Sequence, residues 1–220
     1  LQKMGNIIVS ETYGIEFYEG SINNTGCLLA MSGVGKVNAA RCTQLMIDKY
    51  CPDRIVNIGS AGALNPDLNI GDVVISTSCV QHDVDLTVFG LKKGIFDDNE
   101  DGFIKADTAF VELCKEAMEH FTGDRFKVVL GPIATGDQFY NSPGKKAELF
   151  KEFGAYCDDM EGAAIAQVCH MCKIPFAVIR SISDKPEREN ELMYFDYRKL
   201  ACERCANFLE YLIKVSQGTV

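Results

Sequence analysis

The chain has 220 residues, 47% hydrophobic and 24% charged, a balance that fits one globular domain with a single core. Its 31 acidic residues outnumber its 22 basic residues and give a net charge of −9. This charge argues against nucleic-acid partners and against an anionic membrane surface, since both require clustered positive charge. No apolar run approaches the roughly 20 residues of a membrane span, and no secretory leader opens the sequence, so a cytoplasmic protein is expected.

Short apolar runs rich in β-formers alternate with longer helical patterns along the chain. Residues 1–14 are typical of a helix end followed by the start of a strand. Further strands are predicted at Cys27–Met31, Arg54–Ile58, Asp72–Val80, Lys127–Ala134 and Phe176–Ile182, and helices at Lys36–Tyr50, Thr108–Phe121, Lys145–Phe153, Glu161–Cys172 and Phe195–Val215. Several strands are apolar almost throughout, which indicates an α/β fold with helices on both faces of its sheet. No repeat or linker interrupts the pattern, so residues 1–220 are predicted to form one domain.

The ten cysteines lie mostly in apolar stretches, as reduced cysteine does when it acts as a small hydrophobic residue. Two pairs, Cys169/Cys172 and Cys202/Cys205, have the CxxC spacing of zinc sites. Structural zinc sites usually place CxxC on tight turns, whereas both pairs here lie in predicted helices. Core cysteines at helical spacing are therefore the preferred interpretation over zinc, and no metal or cofactor is expected.

Five motifs rich in glycine, hydroxyl or carboxylate groups lie at strand ends or before a helix. They are Ser32–Lys36, Asn57–Ala63, Thr135–Tyr140, Asp158–Ala164 and Ile179–Asp184. Each alone has a structural interpretation, as a tight turn, a packed aromatic pair, a helix cap or an Asx-turn. Ligands of open α/β sheets bind at the carboxyl ends of the strands, so five such motifs together predict a binding crevice there.

Two of these motifs carry the acids most suited to chemistry. Glu161 begins a helix of small residues that looks buried, where a carboxylate is useful if it accepts hydrogen bonds from sugar hydroxyls. Asp184 ends an apolar strand and can face a ligand from there. In a third motif, Phe139 and Tyr140 offer rings on which a planar base can stack, although core packing is the more usual role of such rings.

In chain order, the segments SGVGKVNAA, NIGSAGALNP, GDVVIS, HDVDLTVFG, TGDQFYN, DMEGAAIAQVCH and VIRSISD resemble the 5′-methylthioadenosine/S-adenosylhomocysteine nucleosidase family, within the purine and uridine phosphorylase superfamily. The resemblance runs from about residue 14 to the C-terminus. It implies a nucleoside phosphorylase-like fold, a three-layer α/β/α sandwich around a twisted mixed sheet, and a homodimer. It also implies hydrolysis of the N-glycosidic bond of both thionucleosides, with release of adenine and the 5′-thioribose, in methionine salvage and purine metabolism.

The same resemblance implies roles for single residues around the adenine. Asp184 would be the catalytic acid that protonates adenine N7, so that the base leaves as a neutral molecule. Ser183 would orient Asp184. Backbone groups of Tyr140 would contact the adenine edge, and Phe139 would stack on its face.

Around the sugar, the resemblance implies that Glu161, preceded by Met160, accepts hydrogen bonds from the ribose hydroxyls. Such bonds can strengthen as the sugar becomes oxocarbenium-like. The resemblance also implies that the ribose and the attacking water are lined by Ser60, Ala61, Gly62 and Arg180. The pocket for the thioalkyl group would be shaped by Phe195 and, from the neighbouring subunit, by Leu86 and Phe89.

The sequence departs from the family pattern at two places. The family's N-terminal strand, followed by a turn with the water-activating glutamate, has no counterpart; Glu11 and Glu16 are the nearest acids, but neither matches a motif, and the base is expected upstream of Leu1. The loop after Phe89 is more acidic than in relatives, and Lys92–Asp101 is predicted to be a mobile surface loop.

Two alternatives to hydrolysis remain open at the level of sequence. A phosphate-dependent purine nucleoside phosphorylase would need arginines around an anion site, and the Ser32–Lys36 loop offers a single lysine. A non-catalytic nucleoside binder of the adenosine type fits the absence of an assigned base. In all cases a small-molecule nucleoside is the expected partner.

Overall fold

The computed structural model describes residues 1, 3–96, 101–120, 126–140, 142–185 and 190–218, and all side chains within them except those of residues 119–120 and 190–199. The strands in these ranges are β1 (Gly5–Thr12), β2 (Ile15–Ile22), β3 (Thr25–Ala30), β4 (Ile55–Ala63), β5 (Val73–Gln81), β6 (Phe103–Lys105), β7 (Val128–Thr135), β8 (Cys157–Asp159) and β9 (Phe176–Asp184). The helices are α1 (Lys36–Tyr50), α2 (Thr108–His120), α3 (Pro143–Phe153), α4 (Gly162–Cys172) and α5 (Asn190–Ser216), with one 3₁₀ turn at Thr87–Phe89.

Six strands form a mixed sheet in the order β6-β5-β7-β8-β4-β9. β4 is parallel to β9, and β7 is parallel to both β5 and β8. The β4–β8 and β5–β6 pairs are antiparallel, and a further antiparallel contact between β5 and β9 curves the sheet back on itself. β1, β2 and β3 form a separate antiparallel sheet.

Helices cover both faces of the six-stranded sheet, α1 and α4 on one side and α2 and α5 on the other. Successive residues of a strand point to opposite faces. In β5, Val74 joins the core with α4, whereas Val73 and Ile75 join the core with α2 and α5. Both faces are therefore apolar, which explains the nearly continuous apolar runs. The predicted α/β/α arrangement around a mixed sheet is confirmed.

The elements predicted from the sequence are present, except that Met4 N–H donates to the Leu1 carbonyl in a turn where the end of a helix was expected. Four further differences are informative. β4 continues through Gly59–Ala63, which looked like a turn because of its small residues, since Ser60 and Gly62 pair in register with Ser181 and Asp184 of β9. The hairpin partner β2 and the short strands β6 and β8 were not predicted. β8 has three residues, two of them aspartates, and so carries no hydrophobic strand pattern.

A cleft of about 1320 Å³ separates the two sheets, lined among others by residues 27–30 of β3 and 55–58 of β4. β3 is hydrogen-bonded to β2 on one side, and residues 55–60 of β4 are paired with β9 on one side. Within the described residues, no strand pairs with the opposite edges of these two segments. The cleft therefore has a strand edge on each wall. The expectation that the family's N-terminal strand lacks a counterpart stays a prediction.

The acidic loop falls partly outside the described residues. Of Lys92–Asp101, residues 97–100 are not described, so its predicted mobility is not tested. The preceding segment is anchored, because Gly94 N–H donates to the Val84 carbonyl at 2.8 Å.

Gly131 of β7 is expected to be intolerant of any side chain. A Cβ atom there would lie 2.4 Å from the Tyr156 ring, and Tyr156 backbone groups hold Pro132 and Leu64 in the same region. We expect Gly131→Ala to lower the free energy of unfolding by about 1–3 kcal/mol through overpacking, measured by urea denaturation. Gly26→Ala is the control, since a Cβ on Gly26 of β3 meets no atom within 4 Å. Equal stability of the two variants would contradict this.

Candidate active site

The predicted motifs meet at the carboxyl ends of β4, β7, β8 and β9. Gly62 of β4 lies in register with Asp184 at the end of β9 and with Asp158 of β8. Thr135, the last residue of β7, is paired with Asp159 of β8. Four strands thus bring their ends, and the start of α4, to one place, as the sequence predicted for a binding crevice.

Asp184 is 1% exposed and has donors at both carboxylate oxygens. Ser183 Oγ donates to Asp184 Oδ1 at 2.9 Å and also lies 3.3 Å from the Ala61 carbonyl oxygen. Lys146 Nζ, from α3, donates to Asp184 Oδ2 at 2.5 Å. The carboxyl plane of Asp184 is therefore fixed from two sides.

Lys146 is completely buried and has a second carboxylate within reach. Its Nζ lies 3.8 Å from Asp158 Oδ1. Burial raises the pKa of Asp158 to about 7, with a further increase from Asp184, and Lys146 opposes this only in part. The three groups converge on Gly62, where a Cβ would lie 2.3 Å from Lys146 Nζ, 2.6 Å from Asp158 Oδ1 and 2.9 Å from Asp184 Oδ2.

Arg180 forms a second buried ion pair beside the first. Its side chain is 1% exposed, and its Nη2 contacts Asp159 Oδ2 at 2.8 Å and donates to Asn57 Oδ1 of β4. Glu161 Oε2 is 4.0 Å from the same nitrogen. Burial alone would lower the pKa of Arg180, but the carboxylates of Asp159 and Glu161 outweigh it and raise this pKa. Arg180 thus holds Asp159 and Asn57 in place beside the cluster around Asp184.

Asp159 caps the start of α4 and also neutralises a buried charge. Its carboxylate accepts the Gly162 N–H at 3.1 Å and the Thr135 hydroxyl at 2.5 Å. The Thr135 oxygen in turn accepts the Ala163 N–H at 2.8 Å. One aspartate therefore neutralises Arg180 and fixes the first turn of α4.

Glu161 connects α4 to the glycine loop after β3. Its Oε1 accepts the Gly35 N–H at 2.9 Å, and its side chain keeps about 20% exposure. Burial raises the pKa of Glu161, and the Gly35 hydrogen bond lowers it. Glu161 is thus a partly exposed acceptor at the rim of the crevice.

The cation of the glycine loop is already paired. Lys36 Nζ contacts Asp83 Oδ1 at 2.6 Å and donates to Gln81 Oε1 at 3.1 Å. Asp137 Oδ1 accepts the Lys36 N–H at 2.9 Å, and its own N–H donates to Asp83 Oδ2 at 3.0 Å. These contacts join the loops that follow β3, β5 and β7.

The remaining predicted residues are distributed around this centre. Tyr140 packs its ring 5.4 Å from that of His82, whereas Phe139 is 49% exposed. Burial lowers the pKa of His82. Other members of the predicted set are partly or fully buried at the strand ends or on the adjoining loop: Ser60, Ala61, Met160 and Leu86.

For two residues that were predicted to shape the thioalkyl pocket, the described side chains do not show a position at the centre of the site. Phe89, in the 3₁₀ turn, is 78% exposed. Phe195 lies in α5, but its side chain is outside the described residues, so its predicted contact with the thioalkyl group is not tested.

Glu11 and Glu16 face each other across the β1–β2 hairpin, and both are exposed. The hairpin's side-chain contacts with α1 include Lys49 and Tyr50, at the C-terminal end of that helix, whereas the site lies at its first turn. Within the described residues, neither glutamate contacts a residue of the candidate site, and neither is assigned as the water-activating base.

Sequence reasoning missed Lys146 and gave Asp158 no role of its own. The signal for Lys146 was present, since it shares a helical stripe with Leu149, Phe150 and Phe153 at positions i, i+3, i+4 and i+7. A lysine on an apolar stripe is buried and needs an anionic partner. Nothing local in the sequence indicates which carboxylate that partner is.

The CxxC pairs lie on α4 and α5, with Cys169 and Cys205 buried. In the part of the chain that the structure describes, no group of three or more histidine, cysteine or acidic side chains is placed to hold a metal ion. Among the same residues, no helix is long and apolar enough to cross a membrane.

Comparison with known proteins agrees with this geometry. A family model described as Phosphorylase superfamily matches residues 4–214. A 5′-methylthioadenosine/S-adenosylhomocysteine nucleosidase from Bacillus cereus is 41% identical over 197 residues, which are 89% of this chain and 84% of that protein.

Two crystal structures of nucleosidases with the same name have the same fold. The one from Colwellia psychrerythraea, in complex with adenine, has a TM-score of 0.90 at 33% identity and covers 97% of this chain and 88% of its own. The one from Neisseria meningitidis, in complex with methylthio-immucillin-A, has a TM-score of 0.90 at 34% identity and covers 97% and 91%.

The fold and the strand-end site define an enzyme of the phosphorylase superfamily. Within that class, the chain belongs to the 5′-methylthioadenosine/S-adenosylhomocysteine nucleosidase family. The family predicted from the sequence motifs is thereby confirmed. The relatives are nucleosidases, so a hydrolase is favoured over the phosphorylase and the non-catalytic binder.

The raised pKa of Asp158 makes stability depend on pH. Between about pH 4, where an unfolded aspartate titrates, and about pH 7, the folded protein keeps a proton on Asp158 that the unfolded chain releases. Stability should therefore fall as pH rises through this window. We expect Asp158→Asn to flatten this fall in thermal melts from pH 5 to 8, whereas exposed Asp53→Asn leaves it unchanged. A pH-independent difference between wild type and Asp158→Asn would contradict the assignment.

Proposed function

We propose that the protein hydrolyses the N-glycosidic bond of 5′-methylthioadenosine and S-adenosylhomocysteine, releasing adenine and the 5′-thioribose. The observation that carries the proposal is the buried carboxyl group of Asp184, fixed at the carboxyl end of β9 beside Gly62. The names of the Bacillus cereus, Colwellia and Neisseria relatives support both substrates.

In this proposal Asp184 is the catalytic acid at adenine N7. Adenine is a poor leaving group as an anion, so a proton delivered to N7 during bond cleavage lowers the barrier. The Ser183 hydroxyl donates to one oxygen of Asp184, and Lys146 donates to the other, so the two together set the orientation of the carboxyl group. Tyr140 backbone groups bind the adenine edge, and the exposed ring of Phe139 closes over its face.

In the same proposal, Glu161 binds the ribose. Its carboxylate is partly exposed and already accepts the Gly35 N–H, so one oxygen is held while the other turns toward the ribose hydroxyls. As positive charge develops on the ribose ring, hydrogen bonds to a carboxylate strengthen, which stabilises the transition state more than the ground state. The small residues Ser60, Ala61 and Gly62, with Met160, leave room for the sugar and the attacking water.

We propose that the protein acts as a homodimer in which Leu86 and Phe89 reach the neighbouring subunit's thioalkyl pocket. Large apolar side chains are exposed on two segments beside the site: Met31, Val34 and Val37, and Val88 and Phe89. The Lys36–Asp83 ion pair holds the two segments together. Exposed large apolar side chains gathered on neighbouring segments are typical of a protein–protein interface.

The dimer can be tested by placing charge on this surface. We expect Val37→Asp combined with Val88→Asp to convert the dimer to a monomer in light scattering after size exclusion, and to raise KM because Phe89 no longer reaches the partner's pocket. The control is Met171→Asp, at another exposed apolar position, on α4. A wild type that is monomeric, or a double variant that stays dimeric, would refute the arrangement.

A cytoplasmic location in methionine salvage completes the proposal. All ten cysteines are free, and most are at least partly buried, which suits a reducing compartment.

The activity is tested by adenine release from both thionucleosides by the purified full-length protein in phosphate-free buffer. We expect Asp184→Asn to lower this rate by about 10²–10⁴, because the amide cannot deliver the N7 proton. The matched control, exposed Asp53→Asn, should keep the wild-type rate. A rate proportional to phosphate would identify a phosphorylase instead. Thermal stabilisation by adenine without turnover would identify a binder.

A further inference from the structure

The cluster of Lys146, Asp158 and Asp184 extends beyond the groups that touch substrate. The three side chains come from α3, β8 and β9 and meet over Gly62, the one residue type that leaves room for them. Lys146 is 0% exposed, and Asp158 and Asp184 are also buried. Burying three ionisable side chains together is unfavourable unless each charge is compensated.

Counting charges shows that the cluster holds one mobile proton. One ammonium and two carboxylates would leave a net buried negative charge, whereas one ammonium, one carboxylate and one carboxylic acid are neutral. The neighbouring carboxylate Asp159 does not change this count, because it is committed to Arg180 at 2.8 Å. A proton shared between Asp158 and Asp184 is therefore the low-energy arrangement.

The geometry indicates where that proton lies in the free protein. Asp184 accepts two hydrogen bonds, from Ser183 and Lys146, so each of its oxygens already has a donor. Asp158 Oδ1 is buried and, among the described residues, has no hydrogen-bond partner, while Lys146 Nζ stands 3.8 Å away. Asp158 thus carries the proton, and Asp184 carries the charge.

We propose that Lys146 links Asp158 to Asp184 as a proton relay that loads the leaving-group acid. This inference rests on the proposed role of Asp184. In this proposal Lys146 and Asp158 are positioning residues, since they act on the substrate only through Asp184.

The relay step balances without any added reactant. Rotation of the Lys146 terminus brings Nζ from 3.8 Å to hydrogen-bond distance of Asp158. The ammonium gives one proton to the Asp184 carboxylate, so that an N–H bond breaks and an O–H bond forms. The resulting amine takes the proton of the Asp158 carboxyl group. Lys146 is again an ammonium, Asp184 is the acid, and Asp158 is the carboxylate.

The relay explains how a buried acid is used repeatedly. Each turnover transfers the Asp184 proton to adenine, and Asp184 is 1% exposed, so direct exchange with water is hindered. Asp158 is 8% exposed and can recover its proton more readily. During the reaction the ionised Asp158 also gives Lys146 a counterion after Asp184 has become neutral.

The kinetic test separates a relay from a purely structural ion pair. We expect Lys146→Met to lower kcat by about 10²-fold with little change in KM, because the acid is loaded slowly. The double variant Lys146→Met/Asp158→Asn removes the buried ammonium and the second acid of the cluster, and leaves Asp184 without a charged neighbour there. It should not recover kcat at neutral pH, but kcat should rise as pH is lowered, because protons from water then replace the relay. Exposed Lys151→Met, on the same helix, is the control.

A double variant with the wild-type kcat and pH profile would overturn the relay and leave a structural role. If Lys146→Met alone does not fold, the double variant decides the question. The wild type is assayed first, since its failure to release adenine would refute the proposed function and not the relay.

Infrared spectroscopy tests the relay without turnover. In the free protein near pH 6, the carbonyl band of a protonated buried carboxyl should be present in the wild type. It should be lost in both Asp158→Asn and Asp184→Asn, because either change leaves a single carboxylate opposite the Lys146 ammonium. On adding adenine to the wild type, the band should change frequency as the proton passes from Asp158 to Asp184. A band that adenine leaves unchanged would overturn the relay, whatever the catalytic rates.

Discussion

The buried guanidinium of Arg180 is the constraint around which the site is built. An arginine at 1% exposure must have its charge neutralised in place, and Asp159 and Glu161 supply carboxylates while Asn57 accepts a hydrogen bond from Nη2; among the described residues, Nε has no partner. These groups come from β8, β4 and the start of α4, so satisfying one side chain fixes three elements relative to β9. The geometry of the strand ends follows from that requirement.

The two aspartates of the short strand β8 pair with two different cationic side chains. Neighbouring residues of a strand point to opposite sides, and Asp158 faces Lys146 while Asp159 faces Arg180. The Arg180 group is rigid, with Asp159 also capping α4. The Lys146 group has an excess carboxylate and therefore a proton to exchange. Strand β8 thus places the Asp159–Arg180 ion pair beside the Asp158–Lys146–Asp184 cluster, in which a proton can move.

Much of this architecture could be predicted from the sequence, because the apolar strand runs and the helical periods reflect burial directly. The strand-end motifs also indicated the position of the crevice, and Asp184, Ser183 and Glu161 do lie there. The pairing of Lys146 with Asp184 was not predictable, since the residues are 38 apart in sequence and are joined only by the fold. β8 was not recognised because its two aspartates serve the ion pairs instead of the hydrophobic core.

The cleft between β3 and β4 has, among the described residues, unpaired strand backbone on both of its walls. Residues 27–30 and 55–58 present two edges of backbone donors and acceptors along walls that are largely aliphatic. Natural sheets blunt such edges with proline or with inward-pointing charge. The four residues of β3 concerned, Cys-Leu-Leu-Ala, carry neither. A further strand laid in the cleft would pair its backbone with both edges and cover the aliphatic side chains of their walls.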